Sequence, residues 1–134
     1  MALMYLLDTN ICIYIAKQKP LNVLQRFETM AVGDVAMSMV TYGELLYGAE
    51  KSQWAKKSKE KLEALATLIP PLPLSMEVSH HYGLIRSTLE KQGNQIGNND
   101  LWIAAHALAL KITLVTNNER AFSRIEKLNV ENWL

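Results

Sequence analysis

The chain has 134 residues, 49% hydrophobic and 20% charged, which suits one packed domain and excludes a disordered segment. Fourteen Lys and Arg stand against thirteen Asp and Glu, so the formal charge of +1 selects no class of partner and any basic surface has to be local. The single cysteine, Cys12, excludes an intrachain disulfide and a cysteine-built metal site, and no apolar run approaches the roughly 20 residues of a membrane-spanning helix.

Met4 to Leu7 is a short apolar run halted by Asp8-Thr9-Asn10, as in a buried strand that ends in a turn and a helix start. An acid this early is out of place in a secretory leader, so a soluble, cytoplasmic domain spanning 1–134 is expected. Ile11 to Ala16 reads as a short apolar helix stopped near Pro20. Leu21 to Met30 reads as a second helix, with Val23, Leu24 and Phe27 inward. Gly33-Asp34 breaks it, and Val35 to Val40 reads as the second strand. Leu45, Ala49, Leu62, Leu65 and Ile69 recur at helical spacing, which predicts helices at about 41–51 and 53–68. Pro70-Pro71-Leu72-Pro73-Leu74 suits only an edge or irregular strand.

Val78, Tyr82, Ile85 and Leu89 fall at i, i+4, i+7 and i+11, the pattern of an amphipathic helix. A loop at 93–97 leads to Leu101–Leu110, apolar nearly all round and therefore a buried helix. Ile112 to Val115 is a β-branched run that stops at Thr116-Asn117-Asn118. A short helix and a last strand near Val130 follow. Strands separated by helices predict an α/β fold, with a mainly parallel central sheet and helices on both faces. Ligands of such sheets bind outside the carboxyl ends of the strands, which singles out Asp8-Thr9-Asn10 and Thr116-Asn117-Asn118.

Three acids stand out by context. Asp8 closes a buried strand, Glu44 lies early in a helix beside Leu45 and Leu46, and Asp100 precedes the buried helix. Each has an ordinary reading. Asp8 and Asp100 are good helix N-caps, and Glu44 suits an exposed first turn. Together they compose a site for a hard divalent cation, Mg²⁺ or Mn²⁺, which takes oxygen ligands and relieves the repulsion between carboxylates. Such a cation activates water and polarises a phosphodiester.

The sequence resembles the PIN-domain ribonucleases, and within them the VapC toxins of toxin–antitoxin pairs. The matching segments are Tyr5 to Asn10, Tyr42 to Ser52, Ile96 to Ala107 and Leu114 to Asn118, in the family's order, with Val130 to Trp133 similar to its last strand. The resemblance implies a three-layer PIN-like fold and a metal-dependent acidic cleft. It also implies cleavage of single-stranded RNA, commonly tRNA and here an anticodon loop, and inhibition by a VapB-type antitoxin. Operator DNA would be reached only through that antitoxin, and a homodimer is implied. Asp8 and Asp100 match the main metal ligands, and Glu44 completes the cluster directly or through a water. The sequence departs from the pattern where many relatives carry a fourth acid: Asn118 stands at or near that position, and Ala121 stands at another often acidic one. One tightly held cation is therefore expected, either alone or with a second ion recruited by RNA phosphate.

Thr9, Asn10 and Thr116 are candidates to orient the carboxylates or a water, though turn chemistry alone accounts for them. Arg86 suits a carboxylate, an RNA phosphate or an antitoxin group. Lys51, Lys56, Lys57, Lys59 and Lys61 form the one basic cluster, either a solvated face or a phosphate-positioning surface. His80, His81 and His106 are read as non-catalytic, because a metal-activated water needs no histidine base. Trp102 is read as core and Trp54 as the tryptophan open to RNA or a partner. The rival reading is a non-catalytic binding module serving the antitoxin. An aspartyl-phosphate phosphohydrolase is disfavoured by Asn10, where a second Asp is needed.

Overall fold

The computed structural model describes residues 2–134. In chain order the elements are β1 (Tyr5–Leu7), α1 (Thr9–Lys17), α2 (Leu21–Glu28), β2 (Val35–Ser38), α3 (Met39–Glu50), α4 (Ala55–Leu68), β3 (Pro71–Leu72), α5 (Met76–Lys91), α6 (Asn98–Leu110), β4 (Thr113–Val115), α7 (Glu119–Phe122) and β5 (Val130–Glu131). The sheet order is β3-β2-β1-β4-β5, and every strand pair is parallel. The expected mainly parallel sheet is thus wholly parallel among the described residues. The proline-bearing β3 lies at one edge, where missing N–H donors do least harm.

Alternation along the strands feeds two separate cores. Leu7 of β1, Val35 and Met37 of β2 and Val115 of β4 face one cluster, with Ile11, Val23, Leu45 and Leu65 from α1 to α4. Leu6, Ala36 and Leu114 face the other, with Val78, Ile85, Leu101 and Phe122 from α5 to α7. Both faces are covered, so the strands read as unbroken apolar runs. No helix among the described residues is long and apolar enough to cross a membrane.

Several helix ends shift by one to three residues from the sequence reading, and two differences bear on the site. The apolar run Val35–Val40 is strand only to Ser38, whose Oγ accepts from the Val40 N–H at 3.2 Å and starts α3 at Met39. Asp100 is not the cap of its helix: Gly97 holds that position, and Asp100 lies in the first turn. Asp8 does cap α1, its Oδ1 accepting from the Ile11 N–H at 3.1 Å. Past the end of α5, Gly93 adopts φ +71°, a left-handed turn open to glycine, and directs the chain toward α6.

Candidate active site

Three elements bring the acids to the carboxyl edge of the sheet. Asp8 follows the central strand β1, and its N–H bonds the Val115 carbonyl of β4 at 3.0 Å. Glu44 comes from the second turn of α3, and Asp100 from the first turn of α6. The chain runs from β1 through β2 to β3 on one side of β1 and then crosses to β4 on its other side, so the strand order reverses beside β1, the place where such sheets open a crevice.

The three environments differ. Asp8 is 5% exposed. Burial pushes its carboxyl up to about 6; hydrogen bonds from Thr116 and the Ile11 N–H oppose this, and the charges of Asp100 and Glu44 add to it. Asp100 is half-buried and is also raised, first by burial and then by Glu44. Glu44 is half-buried and held on both sides. The Thr9 hydroxyl donates to Oε1, and Asn99 Nδ2 donates to Oε2 at 3.2 Å. The buried Thr41 hydroxyl lies 3.3 Å from that of Thr9 and anchors it. The mutual charge effects show three carboxylates in one field. Among the described residues, no ion pair links any of them to Lys, Arg or His.

Carboxylate oxygens are the donor type a hard divalent cation takes, and Asp8, Asp100 and Glu44 are the residues that could hold one. Among the described residues no three His, Cys, Asp or Glu side chains stand together as a group able to hold a metal ion.

The other candidates divide. Thr9 and Thr116 touch the acids directly. Asn10 instead donates to Asn117 Oδ1 at 3.2 Å, and Asn117 Nδ2 donates to the Tyr14 hydroxyl at 3.0 Å, so this pair braces the rim. Asn118 is exposed and bonds through its backbone, its N–H donating to Thr116 Oγ1 at 2.9 Å and its carbonyl accepting from the Ala121 N–H at 3.2 Å. Arg86 is occupied by the Tyr82 hydroxyl at 2.7 Å, Asn98 Oδ1 at 3.4 Å and Glu90 at 3.1 Å, away from the carboxylates. Tyr82 stacks on Trp102 at 3.8 Å between ring centroids, so Trp102 is half-buried in this α5–α6 contact rather than fully core. Lys59 pairs with Glu50 at 2.6 Å, whereas Lys56 and Lys57 are exposed beside Trp54. Lys51 covers the Tyr47 ring, with Nζ 4.8 Å from its centroid. His106 is buried against Ser38 Oγ at 2.9 Å, and His80 and His81 lie on α5.

Asn99, Asn117 and Thr41 carry much of this bracing, and the sequence reading assigned none of them a role. Asn99 and Asn117 do flank the acidic and polar turns that it singled out.

The PIN domain family model matches residues 5–128, nearly the whole chain. The chain belongs to the PIN-domain family. Among its relatives, a protein named Ribonuclease VapC2 from Haemophilus influenzae is 42% identical over 132 residues, covering 98% of this chain and 99% of that protein. A tRNA(fMet)-specific endonuclease VapC from Shigella flexneri is 40% identical over 131 residues, covering 98% of each. Of the solved structures, VapBC-1 from nontypeable H. influenzae superposes with a TM-score of 0.90 at 42% identity, covering 98% of each chain. This PIN domain is thus of the VapC kind, and its all-parallel sheet is the family fold.

Proposed function

We propose that this PIN domain is the toxin of a toxin–antitoxin pair, a Mg²⁺- or Mn²⁺-dependent endoribonuclease that cleaves single-stranded RNA. The placement of Asp8, Glu44 and Asp100 at one edge of the sheet, with no ion pair to a cation among the described residues, carries the reading. Names of relatives that span the same length support it: ribonuclease, and tRNA(fMet)-specific endonuclease. A tRNA anticodon loop is the substrate we infer, because cleavage requires an accessible, unpaired backbone.

Asp8 and Asp100 would hold the cation, with Glu44 beside them. When bound, the cation supplies a Lewis acid for the phosphoryl group and lowers the pKa of nearby water. The chain's own part is preorganisation. Thr116 and the Ile11 N–H fix Asp8, and Thr9 and Asn99 fix Glu44. These bonds hold both carboxylates in place before substrate arrives. The reaction is in-line attack of water on a backbone phosphorus, with the bond to the 3′ oxygen breaking.

A VapB-type antitoxin is the partner inferred from VapBC-1, and operator DNA reached through it is inferred from the DNA-bound VapBC of Salmonella typhimurium. A cytoplasmic homodimer completes the proposal. Incubation of the antitoxin-free protein with total tRNA and Mg²⁺, Mn²⁺ or EDTA tests it, alongside Asp8→Asn and Asp100→Asn. Discrete fragments are expected with either cation and none with EDTA or either variant. Cleavage that persists in both variants would defeat the site assignment. A folded, cation-binding protein that leaves all tRNA intact would favour the binding-module reading.

A further inference from the structure

The acidic cluster repels the phosphates on either side of the one to be cut, so affinity for RNA has to come from neighbouring surface. One face of α3 leads away from Glu44. Tyr47, Gly48 and Lys51 follow Glu44 at i+3, i+4 and i+7 and share its side of the helix. At about 1.5 Å rise per residue, Tyr47 stands about 5 Å and Lys51 about 10 Å along the axis from Glu44.

Tyr47 is 67% exposed and belongs to neither core cluster. Lys51 Nζ lies over its ring, 4.8 Å from the centroid. A Cβ on Gly48 would meet nothing within 4 Å, so the face between them is uncovered. The neighbouring Lys59 is already paired with Glu50, whereas Lys51 lies over an aromatic ring and makes no ion pair among the described residues. An exposed ring with a cation beside it is how proteins grip single-stranded RNA without reading its sequence.

We propose that Tyr47 and Lys51 form a nucleotide subsite flanking the cleavage position, where a base stacks on the Tyr47 ring and Lys51 turns to the adjoining phosphate. The subsite rests on the ribonuclease reading above and gives that site a binding direction along α3.

Steady-state cleavage of total tRNA by the full chain tests it, together with direct tRNA binding to the Asp8→Asn protein with and without a second substitution. Tyr47→Ala is expected to raise KM about tenfold or more and to leave kcat within about twofold, as loss of one stacked base predicts. Tyr47→Phe keeps the ring and restores KM, which a merely structural role of the hydroxyl would not allow. Lys51→Ala lowers the slope of log KM against log salt by about 0.7, one phosphate contact on a single strand. A Tyr47→Ala enzyme with wild-type KM, and unchanged binding in the Asp8→Asn background, overturns the subsite. So does a Tyr47→Ala protein whose only loss is self-association or antitoxin binding, since the face then belongs to a protein partner. A wild-type enzyme that cleaves no RNA defeats the ribonuclease reading itself, before any change at position 47.

Discussion

Asn99 in the first turn of α6 donates through Nδ2 to Glu44 Oε2 in α3 at 3.2 Å. The bond joins α3 to α6, and the residue after Asn99 is Asp100. One amide therefore sets the spacing between two of the three acids. Hydrogen bonds to charged groups contribute about 1.5–3 kcal/mol when sheltered, and less where solvent competes as it does here. Asn99→Ala should lower kcat/KM for tRNA roughly three- to tenfold and move the urea midpoint little, because Asn99 is exposed. Kinetics and a denaturation curve on one preparation separate the two effects. An equal loss of stability and activity would recast Asn99 as a fold residue.

Asp8 makes the opposite trade. Its carboxyl titrates at about 6 in the folded chain against an ordinary 3.8, so the folded protein holds the proton more tightly than the unfolded one. Stability from this group is complete below the unfolded pKa and is lost as pH rises through about 6. At pH 7.5 the ionised, buried carboxylate costs on the order of 3 kcal/mol. Asp8→Asn keeps an oxygen for the Ile11 N–H and removes the charge. It should unfold at higher urea than wild type at pH 7.5, with the gap closing near pH 4. Mg²⁺ or Mn²⁺ should raise the Tm of wild type and leave that of Asp8→Asn unmoved. A variant less stable than wild type at pH 7.5 would contradict the burial account.

How far the sequence could be read depended on whether a position's fate was local. Asp8, Glu44 and Asp100 were legible because each is an acid at the border of an apolar run, where burial has to be explained. The second strand was extended too far because Met39 and Val40 are as apolar as Val35 to Met37, and periodicity cannot divide such a run. The Ser38 hydroxyl, by capping Val40, does divide it. Asn117 and Asn118 are the same residue type in one turn. Only the tertiary approach of Asn10 and Tyr14 makes Asn117 the bracing one. Asn99 was hidden for the same reason: its partner lies 55 positions away in the chain.

His106 gives a second pH limb with the reverse sign. It is buried beside Ser38, its Nδ1 2.9 Å from Oγ, and burial lowers its pKa below the ordinary 6.5. The unfolded chain takes up a proton near 6.5 while the folded one resists it. Stability is therefore complete above 6.5 and is lost as pH falls through the folded value. In an Asp8→Asn background, which removes the opposing limb, stability should decline with acidification below pH 6.5. A further His106→Asn change should flatten that decline. His106→Ala should cost about 2–4 kcal/mol, from the cavity and from a Ser38 hydroxyl left without its partner. Urea titrations at three pH values check the slope, and a decline that survives His106→Asn assigns it elsewhere.

The last strand, β5, has two residues, too few for its ladder to hold the C-terminal segment, and a side-chain clamp around Trp133 does so instead. Trp133 is 4% exposed and meets Tyr5 of β1 edge-to-face at 5.6 Å. The Arg26 guanidinium lies 5.4 Å from the Trp133 ring centroid. Glu131 Oε1 accepts from Arg26 Nη2 at 2.8 Å and from the Trp133 indole N–H at 3.2 Å. Most of the clamp's contribution is apolar burial, since the ion pair is exposed to solvent. Trp133→Ala should therefore cost about 3–5 kcal/mol and Arg26→Ala no more than about 1 kcal/mol. In hydrogen exchange, Trp133→Ala should deprotect the Thr116 N–H, which bonds the Glu131 carbonyl at 2.9 Å, well before the Asp8 N–H on β1. Equal losses for the two variants would make the clamp electrostatic and reverse this ranking.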